Sequence, residues 1–114
     1  MWLADEWSNV IDHAGVDRGN LHMDAIHVEL IYSFVMATKP GRVLEIGSYR
    51  GYSTSALVQA QLDGWEGHFV CVDRLVTASL FCVLGQAQNW SLAGVNSWDL
   101  LEWVEPVDVV ILDG

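Results

Sequence analysis

Between Val43 and Ser55 the chain reads Val-Leu-Glu-Ile-Gly-Ser-Tyr-Arg-Gly-Tyr-Ser-Thr-Ser, and few folds accommodate such a run. A short apolar strand ends in an acid, turns through a glycine loop, and enters a hydroxyl-rich helix start. In an α/β sheet that junction lies at the carboxyl end of a strand, where such folds build small-molecule sites. Two later apolar runs, ending at Asp73 and Asp113, put an acid at the same point of a strand. Three acid-tipped strands in one short chain predict one shared site.

The intervening segments supply helices. Over residues 23–37, Ile26, Leu30, Ile31 and Phe34 recur at helical spacing and predict an amphipathic helix. Lys39-Pro40-Gly41 ends it. Residues 42–47 read as a strand, and Ser53 or Thr54 caps a helix that runs to Leu62 and closes at Asp63-Gly64. Residues 68–73 are rich in β-formers. A helix over about 77–88 follows, then a weak strand at 91–96, a short helix at 98–104 and a strong strand at 107–113. Strands alternating with helices predict an α/β fold with a parallel sheet and right-handed crossovers. A chain of 114 residues is enough for one domain and one core, not two. Residues 1–38 form a helical lead-in, with turns at Gly15 and Gly19-Asn20, and residues 42–114 form the α/β core.

If the last strand lies beside the first, its outer edge has no neighbour from this chain. Proteins cover or pair such an apolar edge. The favoured expectation is a fragment of a longer protein, truncated after the fourth strand. The other is a homo-oligomer that pairs through the edge strand 107–112.

Composition excludes several classes. Five basic residues against fifteen acidic ones give a net charge of −10, which repels phosphate backbones, so no nucleic-acid partner is expected. Asp5 and Glu6 stand where a secretion signal needs positive charge. Residues 75–98 carry no formal charge, but Gln86, Gln88, Asn89, Ser91, Asn96 and Ser97 interrupt them, so a buried helix and strand explain them better than a membrane span. Cys71 and Cys82 read as core thiols rather than a disulfide or a metal pair. A cytoplasmic protein without a membrane partner fits these features. Six tryptophans read as aromatic packing, with a partner-docking pair as the alternative. His13, His22, His27 and His68 form no H-x-x-x-H pair and read as surface or core-edge residues.

The glycine loop has the pattern E-x-G-x-x-x-G, from Glu45 through Gly47 to Gly51. A dinucleotide loop, G-x-G-x-x-G, needs a middle glycine so that pyrophosphate can approach the backbone. Tyr49 takes that place here. The loop suits a ligand without a pyrophosphate, and a nicotinamide-dependent dehydrogenase fits it poorly. Asp73 follows Gly51 by twenty-two residues, about where an acid grips a ribose diol beyond such a loop.

The segment 43–57, with Leu44-Glu45-Ile46-Gly47-Ser48 followed by Gly51-Tyr52-Ser53-Thr54, closely resembles motif I of class I S-adenosylmethionine-dependent methyltransferases. It is similar to the "EIGS..G.ST" subgroup, many of whose members act on small molecules. The resemblance extends over about residues 21–114 and implies a Rossmann-like sheet of strand order 3-2-1-4. It also implies the cofactor S-adenosylmethionine. Gly47 and Gly51 would let the backbone approach its methionine part, with Ser48 and Tyr49 between them in the same loop. Glu45 would face the ammonium, and Ser53 or Thr54 would hydrogen-bond the carboxylate. Asp73 would hold the ribose, with Arg74 beside the adenine or ribose. Asn96 and Ser97 would reach the adenine rim, though a helix cap explains that pair equally well. A strand-end pairing of Glu45 with Arg50 is the plainer alternative for the first acid.

The last strand resembles motif IV in the form "DLVFIDG". In metal-dependent small-molecule relatives that tip helps bind a divalent ion or orient the acceptor, so Asp113 is the candidate for such catalytic work. Any metal would need ligands from outside this chain. The Asn/Asp-Pro-Pro-Tyr pattern of nucleobase-amine enzymes is absent. The resemblance therefore implies the cofactor-binding half of a methyltransferase, with a small-molecule oxygen or nitrogen as acceptor. A non-catalytic, methyltransferase-like assembly protein is the alternative.

Overall fold

A computed structural model describes residues 25–47, 53–73, 77–94 and 106–112. Helix α1 (Ala25–Thr38) leads into strand β1 (Arg42–Ile46), helix α2 (Thr54–Leu62) and strand β2 (His68–Val72). Helix α3 (Ala78–Leu84), strand β3 (Trp90–Ala93) and strand β4 (Val109–Leu112) follow. The four strands are parallel in the order β3-β2-β1-β4, as the sequence led us to expect.

Val28, Ile31, Tyr32 and Val35 recur at helical spacing and form the buried stripe of α1. This differs from the expected stripe, because Leu30 and Phe34 face outward. The helix carries apolar residues on most of its circumference, so spacing alone leaves its rotation open. Of Ile26 only the backbone is described. The helix ends where Lys39 adopts a left-handed φ of 48° and its N–H donates to the Val35 carbonyl at 2.8 Å.

In β1, Val43, Leu44 and Glu45 are buried in succession, which marks a central strand covered on both faces. Val43, Phe69 and Cys71 join residues of α1, α2 and α3 in the main core. Leu44, Val70 and Val72 form a smaller cluster, with Ile46, Ala93 and Val107 packed against it. Residues Thr54 to Ala60 of α2 are all buried, since α1, α3 and the sheet all press on this helix. Gly64, at φ 109°, turns the chain out of α2.

Below the sheet, the Trp65 indole N–H donates to the Pro40 carbonyl at 2.7 Å and its ring stacks on Phe69. A Cβ on Gly67 would lie 2.5 Å from both the Pro40 oxygen and the Trp65 ring, so this turn admits only glycine. Helix α3 is capped by Thr77, whose hydroxyl accepts from the Leu80 N–H. It stops at Leu84 rather than 88, because the chain turns through Gly85 and Gln86. Cys82 is exposed, which corrects its reading as a core thiol: Leu80, Val83 and Leu84 take the inward face of this short helix.

Strand β3 begins at Trp90, and residues 95–105 lie outside the described residues, the expected helix at 98–104 among them. Strand β4 is shorter than expected. Val107 and Asp108 precede it, and the Asp108 carboxylate accepts from the Gly41 and Arg42 N–H groups at 2.8 and 3.1 Å. Val109 and Ile111 lie against the main core, while Val110 and Leu112 are exposed. An apolar groove runs between α1 and β4, lined by Leu30, Ile31, Phe34, Val35, Val109 and Ile111. Among the described residues no helix is long and apolar enough to cross a membrane.

Candidate functional site

The carboxyl ends of β1 and β2 lie side by side, and the candidate site is built there. Glu45 is fully buried and directly opposite Cys71 across the parallel pair. A buried carboxylate is costly unless donors meet it. Three do. The Ser53 hydroxyl donates to Oε2 at 2.7 Å, the Thr54 hydroxyl donates to Oε1, and the Cys71 thiol reaches Oε1 at 3.7 Å. The strand tip and the start of α2 are thus tied together by side chains across the loop that joins them.

Ser53 departs from its expected capping role. It stands at the N-cap but has helical φ and ψ of −68° and −34°, and its side chain makes no cap hydrogen bond. The hydroxyl donates to the Glu45 carboxylate instead, a charge-assisted hydrogen bond.

Two residues beyond Glu45, Gly47 has a φ of 91°, a left-handed conformation that strains any residue with a Cβ. Its N–H still donates to the Val72 carbonyl at 2.8 Å, so the ladder runs one step past β1 before the chain turns away. Ile46 is in register with Val72, so Asp73 stands level with Gly47 on the next strand, about 4.8 Å away by ordinary strand spacing. Asp73 is half-buried, and its N–H donates to the Ala93 carbonyl at 3.1 Å. On the other side Leu112 is in register with Ile46, so β4 also ends at this edge.

The structure therefore brings Glu45, Gly47, Ser53, Thr54 and Asp73 to the carboxyl edge of two neighbouring strands. Ser48, Tyr49, Arg50, Gly51, Arg74, Asn96, Ser97 and Asp113 lie outside the described residues, as do His13 and His22. His68 is at the opposite end of β2, where Nε2 is 2.9 Å from the Ser91 hydroxyl. His27 is exposed on α1 beside the groove. Cys71 is the residue that sequence reasoning missed, since it was read only as a core thiol. No local signal could have found the contact, which follows from the register that sets Cys71 opposite Glu45. Among the described residues no cluster of histidine, cysteine and acidic side chains could hold a metal ion.

No family model matches the sequence, and no curated protein matches it. Solved structures do match. The methyltransferase PaMTH1 of Podospora anserina, bound to S-adenosylhomocysteine, superposes with a TM-score of 0.77 at 17% identity, over 96% of this chain and 50% of its own. The O-methyltransferase TomG of Streptomyces achromogenes, involved in tomaymycin synthesis and complexed with S-adenosylmethionine, gives 0.69 at 21% identity, over 97% and 52%. An O-methyltransferase of Bacillus cereus in complex with S-adenosylhomocysteine gives 0.66 at 18%, over 96% and 53%. At these identities what is shared is the fold, a Rossmann-like sheet of order 3-2-1-4. The chain spans about half the length of each of these proteins.

Proposed function

We propose that this chain is the cofactor-binding half of an S-adenosylmethionine-dependent methyltransferase acting on a small-molecule oxygen or nitrogen. The observation that carries the reading is the strand-tip junction, where an anchored Glu45 carboxylate, a left-handed Gly47 and Asp73 meet at one edge. The solved structures of the same fold add support, since they hold S-adenosylmethionine or its demethylated product.

The donor set suits that ligand. Glu45 offers a fixed negative charge for an ammonium, and Gly47 offers backbone with no side chain in the way. A single carboxylate such as Asp73 accepts from both hydroxyls of a ribose. When bound, S-adenosylmethionine supplies an electrophilic methyl on a sulfonium. The contribution of this chain is then to bind and orient, holding the ligand so that an acceptor can approach in line. Ser48, Tyr49, Gly51, Arg74, Asn96 and Ser97 complete the cofactor site in this reading, and Asp113 orients the acceptor or, with ligands from elsewhere, a cation. The charge of −10 argues for a small-molecule acceptor over a nucleic acid.

A second reading has one specific observation in its favour. Leu30, Phe34, Val110 and Leu112 are exposed along α1 and the sheet edge, as a protein that assembles with a second copy through β4 would require. Calorimetric titration separates the two. S-adenosylhomocysteine is expected to bind and NAD to give no heat. Binding of NAD alone would reinstate the dehydrogenase, and no heat from either would leave only assembly.

A further inference from the structure

A hydroxyl has one proton to give. At the start of α2, Ser53 and Thr54 each give theirs to Glu45, on opposite oxygens of the carboxylate. Neither proton is then available to a ligand's own carboxylate, so the two hydroxyls act first on Glu45. Thr54 is fully buried and shares Oε1 with the Cys71 thiol, while Ser53 holds Oε2 from the preceding residue. The carboxylate is gripped from the helix on one side and from the neighbouring strand on the other. A Glu side chain has three rotatable bonds, and without such a grip its charge would sample several positions.

We propose that Thr54 is a positioning residue that serves the ligand's ammonium only through Glu45, an inference that rests on the reading of the site given above. Its hydroxyl sets where the Glu45 charge stands, and the ammonium meets that charge rather than Thr54. The role is confined to the amino-acid end of the ligand, because Thr54 acts on the Glu45 carboxylate of β1, while the ribose acid Asp73 stands on the neighbouring strand.

The test uses two ligands that differ in that end alone. S-adenosylhomocysteine carries the ammonium and carboxylate, and 5′-methylthioadenosine keeps the adenosyl thioether without them. Thr54→Val keeps the branched shape and deletes the hydroxyl. It is expected to weaken S-adenosylhomocysteine by about tenfold or more, the worth of a hydrogen bond to a charged group, and to leave methylthioadenosine within about twofold. Thr54→Ser, which keeps the hydroxyl, restores the first affinity. Glu45→Gln shows the same selective loss, and adding Thr54→Val to it costs nothing further, as expected for two residues acting as one unit.

Equal weakening of both ligands by Thr54→Val would make the residue merely structural. Unchanged affinity for S-adenosylhomocysteine would overturn the proposal outright. Should Thr54→Val fail to fold, Thr54→Ala in the wild-type and Glu45→Gln chains decides: a selective loss in the first with no further loss in the second upholds the unit, and a loss on both ligands refutes it. A wild-type chain that binds neither ligand removes the functional reading itself, which is a different result from a variant that binds as well as wild type.

Discussion

Gly47 is where a single residue decides whether the site can exist. Its φ of 91° lies in the region that only glycine enters without strain. A non-glycine residue held there costs about 1–3 kcal/mol. Gly47→Val is therefore expected to lower the denaturation midpoint by a corresponding amount and to abolish S-adenosylhomocysteine binding. An unchanged midpoint in urea, read by tryptophan fluorescence, would mean that the loop tolerates a side chain. At this scale the sequence was readable for position, since Glu45, Gly47 and Asp73 stand at strand ends and at the turn as their pattern led us to expect. It was opaque where contact depends on register. Cys71 meets Glu45 because β1 and β2 align those two residues across a connection of more than twenty residues, and no local pattern encodes that alignment.

Between elements, the turn after α2 shows how one glycine fastens two layers. Trp65 folds back to the Pro40 carbonyl, Phe69 stacks on it, and Gly67 passes beneath with no room for a methyl group. Gly67→Ala is expected to destabilise by about 1–3 kcal/mol, as overpacking does in a tight core. Chemical denaturation checks this, and an unaltered midpoint would show that the Trp65 ring can move aside. The helix α1 shows the limit of pattern reading at this scale. Its existence and its end at Lys39-Pro40 were legible, since both follow from local chemistry. Its rotation was not, because apolar residues lie on most sides and only the packing against α2 selects Val28, Ile31, Tyr32 and Val35. Tyr32 confirms that choice, its hydroxyl donating to the Asp63 carboxylate at 2.5 Å across the helix pair.

For the molecule as a whole, alternation of strands and helices was enough to read a parallel α/β sheet, and the strand order came with the family resemblance. Exposure along the β4 edge has a measurable consequence. Leu112 is 73% exposed and Val110 about half, on a strand that among the described residues pairs only with β1. Such an edge is a template for further pairing. Sedimentation velocity is expected to show concentration-dependent association, and Leu112→Lys to shift it toward the monomer. Association that ignores the lysine would place the contact elsewhere.

The clamp of Asp108 on Gly41 and Arg42 joins positions 67 and 66 residues apart. Ribosomes deliver polypeptide from one end, so β1 and β2 have both emerged well before the other neighbour of β1 is translated. Until then the flank of β1 that β4 will occupy stays open to any extended peptide nearby. Closure of this flank of β1 thus waits on a strand made much later in the chain, and in that interval the nascent sheet is exposed to misassembly.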